Sequence, residues 1–204
     1  MHYGVILNDH GSIGKLGDLS APPYKGAPKA PILYLKPANT LASAGVSVMP
    51  PAGADAVEVG ATVGLVIGRP AARLKAEDAL SFVREIVLAA DLSLPHESYY
   101  RPAIREKCFD QSLVLGPRAP VEALADLIVT TEVEGVEVDE FALADLIRDP
   151  AQLLADVTEF MTLAEGDVLL VGVRYRAPEA GPGASVTVRA KNIGSLQFSI
   201  QGVA

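Results

Sequence analysis

The sequence predicts a strand-dominated α+β fold, and three observations predict it. Short β-branched runs bounded by Gly and Pro recur along the whole chain. Apolar residues at helical spacing are confined to two stretches. Half of the 204 residues are hydrophobic, yet only 5% are aromatic and none is Trp, so the core is built from Val, Leu, Ile and Ala. The length suits one domain over residues 1–204, with residues 1–30 read as a mobile N-terminal lid segment.

The elements follow in order. Tyr3 to Leu7 is a short apolar strand. Asp9 to Pro31, rich in Gly, Pro, Ser and Lys, reads as a loop, and a loop this long in a compact domain is often functional. Pro31 to Pro37 is a strand closed by proline, and Val46 to Met49 a strand stopped by Pro50-Pro51. Val57 to Ile67 is the strongest strand signal, ended by Gly68-Arg69-Pro70. Lys75 to Ala90 reads as a helix: Ala79, Phe82, Val83, Ile86 and Val87 recur at helical spacing, with Glu77 and Asp78 in the first turn. Asp91 to Gly116 reads as irregular. Leu127 to Val138 is a hairpin turning at Glu134-Gly135. Pro150 to Leu163 is a second helix, N-capped by Asp149 with proline at its first position. Val168 to Val173, Ser185 to Ala190 and Leu196 to Ile200 are the closing strands.

Charge and composition exclude several functions. The net charge of −8 leaves no cationic surface for a phosphate backbone, so no nucleic acid partner is expected. The single cysteine, Cys108, permits no internal disulfide, which fits a reducing compartment. The first residues lack a basic stretch followed by a long apolar one, and apolar runs elsewhere fall short of the roughly 20 residues a bilayer requires, so no membrane association and a cytoplasmic location are expected. No Gly-rich phosphate loop opens a helix, no Gly-x-Ser-x-Gly elbow is present, and His2, His10 and His96 are not spaced as ligands on one element.

The informative stretch is Asp91 to Asp110. It carries Arg101, Arg105 and Lys107 among Asp91, Glu97, Glu106 and Asp110, with Tyr99 and Tyr100. It reads either as a solvated loop of ion pairs or as a site for a di- or tricarboxylate. In the second reading Arg101 and Arg105 bind substrate carboxylates by paired hydrogen bonds. Lys107, as the catalytic cation, would stabilise a developing enolate.

The order of motifs is specific. Lys36-Pro37-Ala38-Asn39-Thr40, Val66-Ile67-Gly68, Ala90-Asp91, Lys107-Cys108-Phe109-Asp110, Leu115-Gly116-Pro117, Gly166-Asp167-Val168 and Asn192-Ile193-Gly194 together resemble the fumarylacetoacetate hydrolase family. Tyr24 to Lys29 and Ser93 to Ile104 narrow the resemblance to its decarboxylase/isomerase branch in 4-hydroxyphenylacetate (homoprotocatechuate) breakdown, specifically to the N-terminal of two fused units. The resemblance implies a mixed β-sandwich or roll with two or three helices. It also implies decarboxylation of 5-oxopent-3-ene-1,2,5-tricarboxylate and isomerisation of 2-hydroxyhepta-2,4-diene-1,7-dioate, with Lys36 among the substrate-binding residues. It implies Mg2+ or a similar divalent cation and assembly as a homodimer or a hetero-oligomer with a related subunit.

The chain departs from the family at the metal. The family holds its ion with two glutamates of a Glu-x-Glu and one aspartate, hard oxygen ligands suited to Mg2+. Here the glutamate positions fall on Gly60 and Thr62, Asp91 alone remains as a metal ligand, and Glu58 lies one same-face step before the pair. The expectation thus includes a chain that binds no ion. Three activities stay open: catalysis of one step without the usual ligand triad, a degenerate half beside a metal-binding catalytic subunit, and hydrolysis of another 2-oxo acid such as an acylpyruvate.

Overall fold

The computed structural model describes residues 1–16, 18–21, 26–96 and 102–202. Its strands are β1 His2–Ile6, β2 Ile32–Lys36, β3 Leu41–Ser43, β4 Ser47–Val48, β5 Val57–Ile67, β6 Val83–Ser93, β7 Leu113–Ala119, β8 Ile128–Val133, β9 Val136–Ala142, β10 Val168–Leu170, β11 Glu179–Ala180, β12 Ser185–Ala190 and β13 Gly194–Ile200. The α-helices are α1 His10–Lys15, α2 Ala76–Ala79, α3 Ile104–Lys107 and α4 Pro150–Phe160. The strand-dominated α+β class holds. There are four helices among the described residues instead of two or three, because three are too short to leave a periodic signal.

One sheet runs β2-β1-β10-β5-β6-β7-β3, with β11 added beside β5; the other runs β4-β13-β12-β8-β9. The first sheet cannot be flat. Its edge strands β2 and β3 are joined by Pro37 and the single 3-10 turn Ala38–Thr40. Five residues reach about 17 Å at most, whereas six strand spacings laid flat would need about 29 Å. The sheet therefore curls into a roll.

That roll explains β5 and β6. In β5, Val57, Val59, Ala61, Val63, Leu65 and Ile67 face the main core. The alternate residues Glu58, Gly60, Thr62, Gly64 and Val66 point into the roll, where Val66 packs with Val87, Ala89, Leu113, Val168 and Leu170. Buried on both faces, these strands show no polar alternation. The interior is narrow: a Cβ on Gly64 would stand 2.5 Å from Val168.

The structure corrects the reading of Lys75 to Ala90. Only Ala76–Ala79 is α-helical; a 3-10 turn, Leu80–Phe82, follows, and Val83 opens the eleven-residue β6. Asp91 thus lies inside a strand, not at the head of a loop. Within the segment read as a loop, α1 forms instead, capped by Asp9, which accepts from the Ser12 amide at 2.8 Å. Its Ile13 and the following Leu16 pack on Ile6, Val173 and Tyr175. The predicted strand Val57 to Ile67 and the Asp149 cap of α4, which accepts from Gln152 N at 2.8 Å, are observed.

Candidate active site

The site is a layer near one end of the roll. On β5 and β6 the pairs Glu58–Ser93, Gly60–Asp91 and Thr62–Ala89 follow in register, all facing inward. Curling brings β2 over this layer, although four strand spacings separate it from β6 along the sheet. Gly4, opposite Tyr34 on β1, makes the approach possible: a Cβ there would lie 2.0 Å from the Tyr34 ring.

Three side chains meet at Asp91, which is 1% exposed. Its Oδ1 lies 2.5 Å from Lys36 Nζ, in an ion pair too oblique for a good hydrogen bond. Its Oδ2 accepts from the Tyr34 hydroxyl and pairs with Lys107 Nζ at 3.3 Å. Lys107 Nζ also stands 4.6 Å above the centre of the Tyr34 ring, a cation–π contact. Burial pushes the Asp91 carboxyl up, but Lys107, Lys36 and the Tyr34 hydrogen bond together hold it below the usual carboxylate range.

The two lysines are placed differently. Lys36, 1% exposed, donates to the carbonyls of Lys107 (2.6 Å), Leu92 and Ser112 (both 3.0 Å) and to Ser112 Oγ (3.1 Å). Burial lowers its pKa and Asp91 partly restores it. This ammonium is enclosed by protein acceptors. Among the described residues its contacts are all to protein: it ties β2 to β6 and α3 and offsets Asp91. Lys107 borders a cleft of about 390 Å³ between β2 and α3, with Tyr34 and Cys108 also on its wall. Lys36 and Asp91 cancel, so these three residues leave one positive charge, carried by Lys107 at the cleft.

Arg105 is exposed and lines a different depression, of about 400 Å³, with Asp55 and Glu179. The structure thus separates Arg105 from Lys107 across α3. Arg101 lies outside the described residues. Glu58, which sequence reasoning noted only as a neighbour of the lost ligands, is 7% exposed and points into the same roll. Burial lifts its pKa to about 7; Lys107 opposes the shift, Glu179 adds to it, Arg176 opposes it and Asp91 adds to it.

The residues present do not fit a divalent cation. Gly60 and Thr62 supply no carboxylate, and the side chain at 60 has no room: a Cβ would meet Asp91 O at 2.9 Å and Val173 Cγ1 at 3.0 Å. Both Asp91 oxygens already face cations or a hydroxyl donor. Among the described residues no three His, Cys, Asp or Glu side chains converge as ligands. Asp91, expected to be the surviving ligand, is paired here with two lysines and the Tyr34 hydroxyl.

A rolled sheet with a buried Lys–Asp–Lys site, and a match of residues 1–201 to the fumarylacetoacetate (FAA) hydrolase C-terminal family, define the class: the chain belongs to the fumarylacetoacetate hydrolase family. It is 38% identical over 196 residues to the 4-hydroxyphenylacetate degradation bifunctional isomerase/decarboxylase of Salmonella dublin, covering 96% of this chain and 46% of that protein. The protein of the same name from Escherichia coli is 39% identical over 175 residues, 86% of this chain and 41% of its own length. The chain therefore spans about half the length of the curated relatives it matches. The crystal structure of 5-carboxymethyl-2-hydroxymuconate delta-isomerase from Mycobacterium smegmatis superposes with a TM-score of 0.83 at 25% identity, covering 100% of this chain and 79% of that one.

Proposed function

We propose that this chain is a metal-independent subunit of a 4-hydroxyphenylacetate-catabolism decarboxylase/isomerase. Its substrates are 5-oxopent-3-ene-1,2,5-tricarboxylate, 2-hydroxyhepta-2,4-diene-1,7-dioate, or both. The single observation that carries this reading is the place of Lys107, on the cleft wall with its Nζ 3.3 Å from Asp91 and 4.6 Å above the Tyr34 ring. Decarboxylation or tautomerisation of an unsaturated oxo acid passes negative charge onto an oxygen, and a fixed cation in a water-poor site stabilises that charge where it develops. The similarity to isomerase/decarboxylase relatives supports the substrate class. Lys107→Met is expected to abolish turnover while the far-ultraviolet spectrum and unfolding midpoint stay close to wild type. A collapsed fold would make Lys107 structural and remove the basis of the reading.

A second reading is favoured by Gly60 and Thr62, which supply no carboxylate for an ion: a degenerate half that pairs with a metal-binding catalytic subunit. The two part company when the purified chain is assayed for both reactions, with Mg2+ and then with a chelator. Turnover by the lone chain, indifferent to the chelator, supports the first reading. Activity only after a second subunit is added supports the second. In either case assembly as a homodimer or hetero-oligomer is expected, and a monomer in size-exclusion chromatography at micromolar concentration contradicts it.

A further inference from the structure

The inward face of β5 carries a second ionisable group for which the family's metal site has no use. Glu58 is one inward-facing step along β5 from Gly60, about 7 Å, and Gly60 is paired with Asp91. Its cross-strand neighbours are Ser93 on one side and Glu179 on the other. The residue is 7% exposed, and its carboxyl makes no hydrogen bond or ion pair among the described residues. Asp91, one inward step along the sheet, is held in its charged form by two lysines and the Tyr34 hydroxyl.

We propose that Glu58 is the proton-transferring residue of this site, working opposite Lys107 on an oxo or enol dicarboxylate. The inference rests on the reading given under Proposed function and names the group that reading lacks. The Glu58 carboxylate takes a proton from the carbon next to the substrate's 2-oxo group. The C–H electron pair becomes the enolate double bond, and the oxo oxygen takes the negative charge beside the Lys107 ammonium. Glu58, now a carboxylic acid, returns the proton to the far end of the conjugated system, giving the tautomer and regenerating the carboxylate. The cycle is proton-neutral and calls on no other reactant. The surroundings of Glu58 suit this role, since burial lifts its pKa to about 7, with Lys107 and Arg176 opposing and Glu179 and Asp91 assisting. A base poised near neutral pH is present in both forms during turnover.

The test follows proton exchange directly, using 2-oxoadipate as a defined 2-oxo dicarboxylate probe in D2O, with loss of its C3 proton signals read by NMR. The wild-type chain is expected to catalyse exchange, with a rate that rises through pH 7 to a plateau. Glu58→Gln is expected to slow exchange about 100-fold or more and to remove that limb while probe binding stays within a few-fold. Added formate or acetate is expected to restore part of the rate to Glu58→Ala, which a merely structural glutamate would not permit. Wild-type exchange rates in a folded Glu58→Gln variant, or survival of the pH limb in it, overturn the inference. Wild-type exchange of the probe without turnover of either proposed substrate leaves Glu58 standing and overturns the proposed function. Wild-type turnover of a proposed substrate, undiminished in Glu58→Gln, does the reverse.

Discussion

At the scale of residues, the site separates charges by what surrounds them. Lys36 and Lys107 both touch Asp91, but only Lys36 is enclosed by carbonyls. Lys36→Met strips a buried anion of its shorter ion pair and takes a donor from three carbonyls, of which Ser112 O keeps the Leu92 amide and Lys107 O keeps the Ser112 hydroxyl. The expected cost is about 3–5 kcal/mol, read from urea unfolding, in line with broken buried pairs. Glu58 behaves in the opposite way. Its folded-state pKa of about 7 exceeds its ordinary value of 4.5, so the folded protein holds that proton more tightly than the unfolded chain. The resulting stability is fully present below pH 4.5 and is lost as pH rises to about 7. Glu58→Gln does not titrate. It should match wild type near pH 4 and exceed it at pH 8 by about 1 kcal/mol, the shift being trimmed for residual contact with water. That corresponds to roughly 3 °C in Tm. Equal melting curves at both pH values would contradict it.

At the scale of elements, what the sequence made legible depended on how each element is buried. The predicted strand β5 matched because Val, Ile and Thr crowd it between Gly and Pro stops. β6 reads as a helix in sequence because apolar residues on both of its faces erase the period-2 signal, and Ala79, Phe82, Val83, Ile86 and Val87 then imitate a helix. The β-branched Val83, Ile86 and Val87 carried the correct signal. Lys107 stands out in the charged stretch Asp91 to Asp110, and Asp91 in the order of motifs. The role of Lys36 does not, because it depends on a roll that sets β2 over β6, and no local pattern encodes curvature. Gly4 is the local device that allows this approach. Gly4→Ala drives a methyl into the Tyr34 ring and should cost about 1–3 kcal/mol, with loss of turnover as Tyr34 leaves Asp91. In a Tyr34→Ala background the same change should cost less than about 0.5 kcal/mol, because the ring it meets is gone. Additive costs in this double-mutant cycle would place the strain elsewhere.

At the scale of the whole molecule, the fold keeps the family's roll while its interior is closed to the family's ion. The closure is spread over three strands and the chain beyond β10. Gly60 sits against Asp91 O and Val173, Thr62 is fully buried with its hydroxyl 3.4 Å from the Val63 carbonyl, and Asp91 is tied to β2 and α3. Restoring one glutamate would therefore not restore a site. It would place a side chain where a backbone carbonyl and a valine already stand. An ion that binds the folded state stabilises it by RT ln(1 + [L]/Kd). If Kd is tenfold above the added concentration, this is only about 0.06 kcal/mol, far below 1 °C in Tm. Thermal unfolding of the chain with millimolar Mg2+ or Mn2+ is therefore expected to coincide with unfolding in a chelator. A rise of about 3 °C with either ion would mean binding well below millimolar, and would require ligands that Gly60, Thr62 and the lysine-bound Asp91 do not provide.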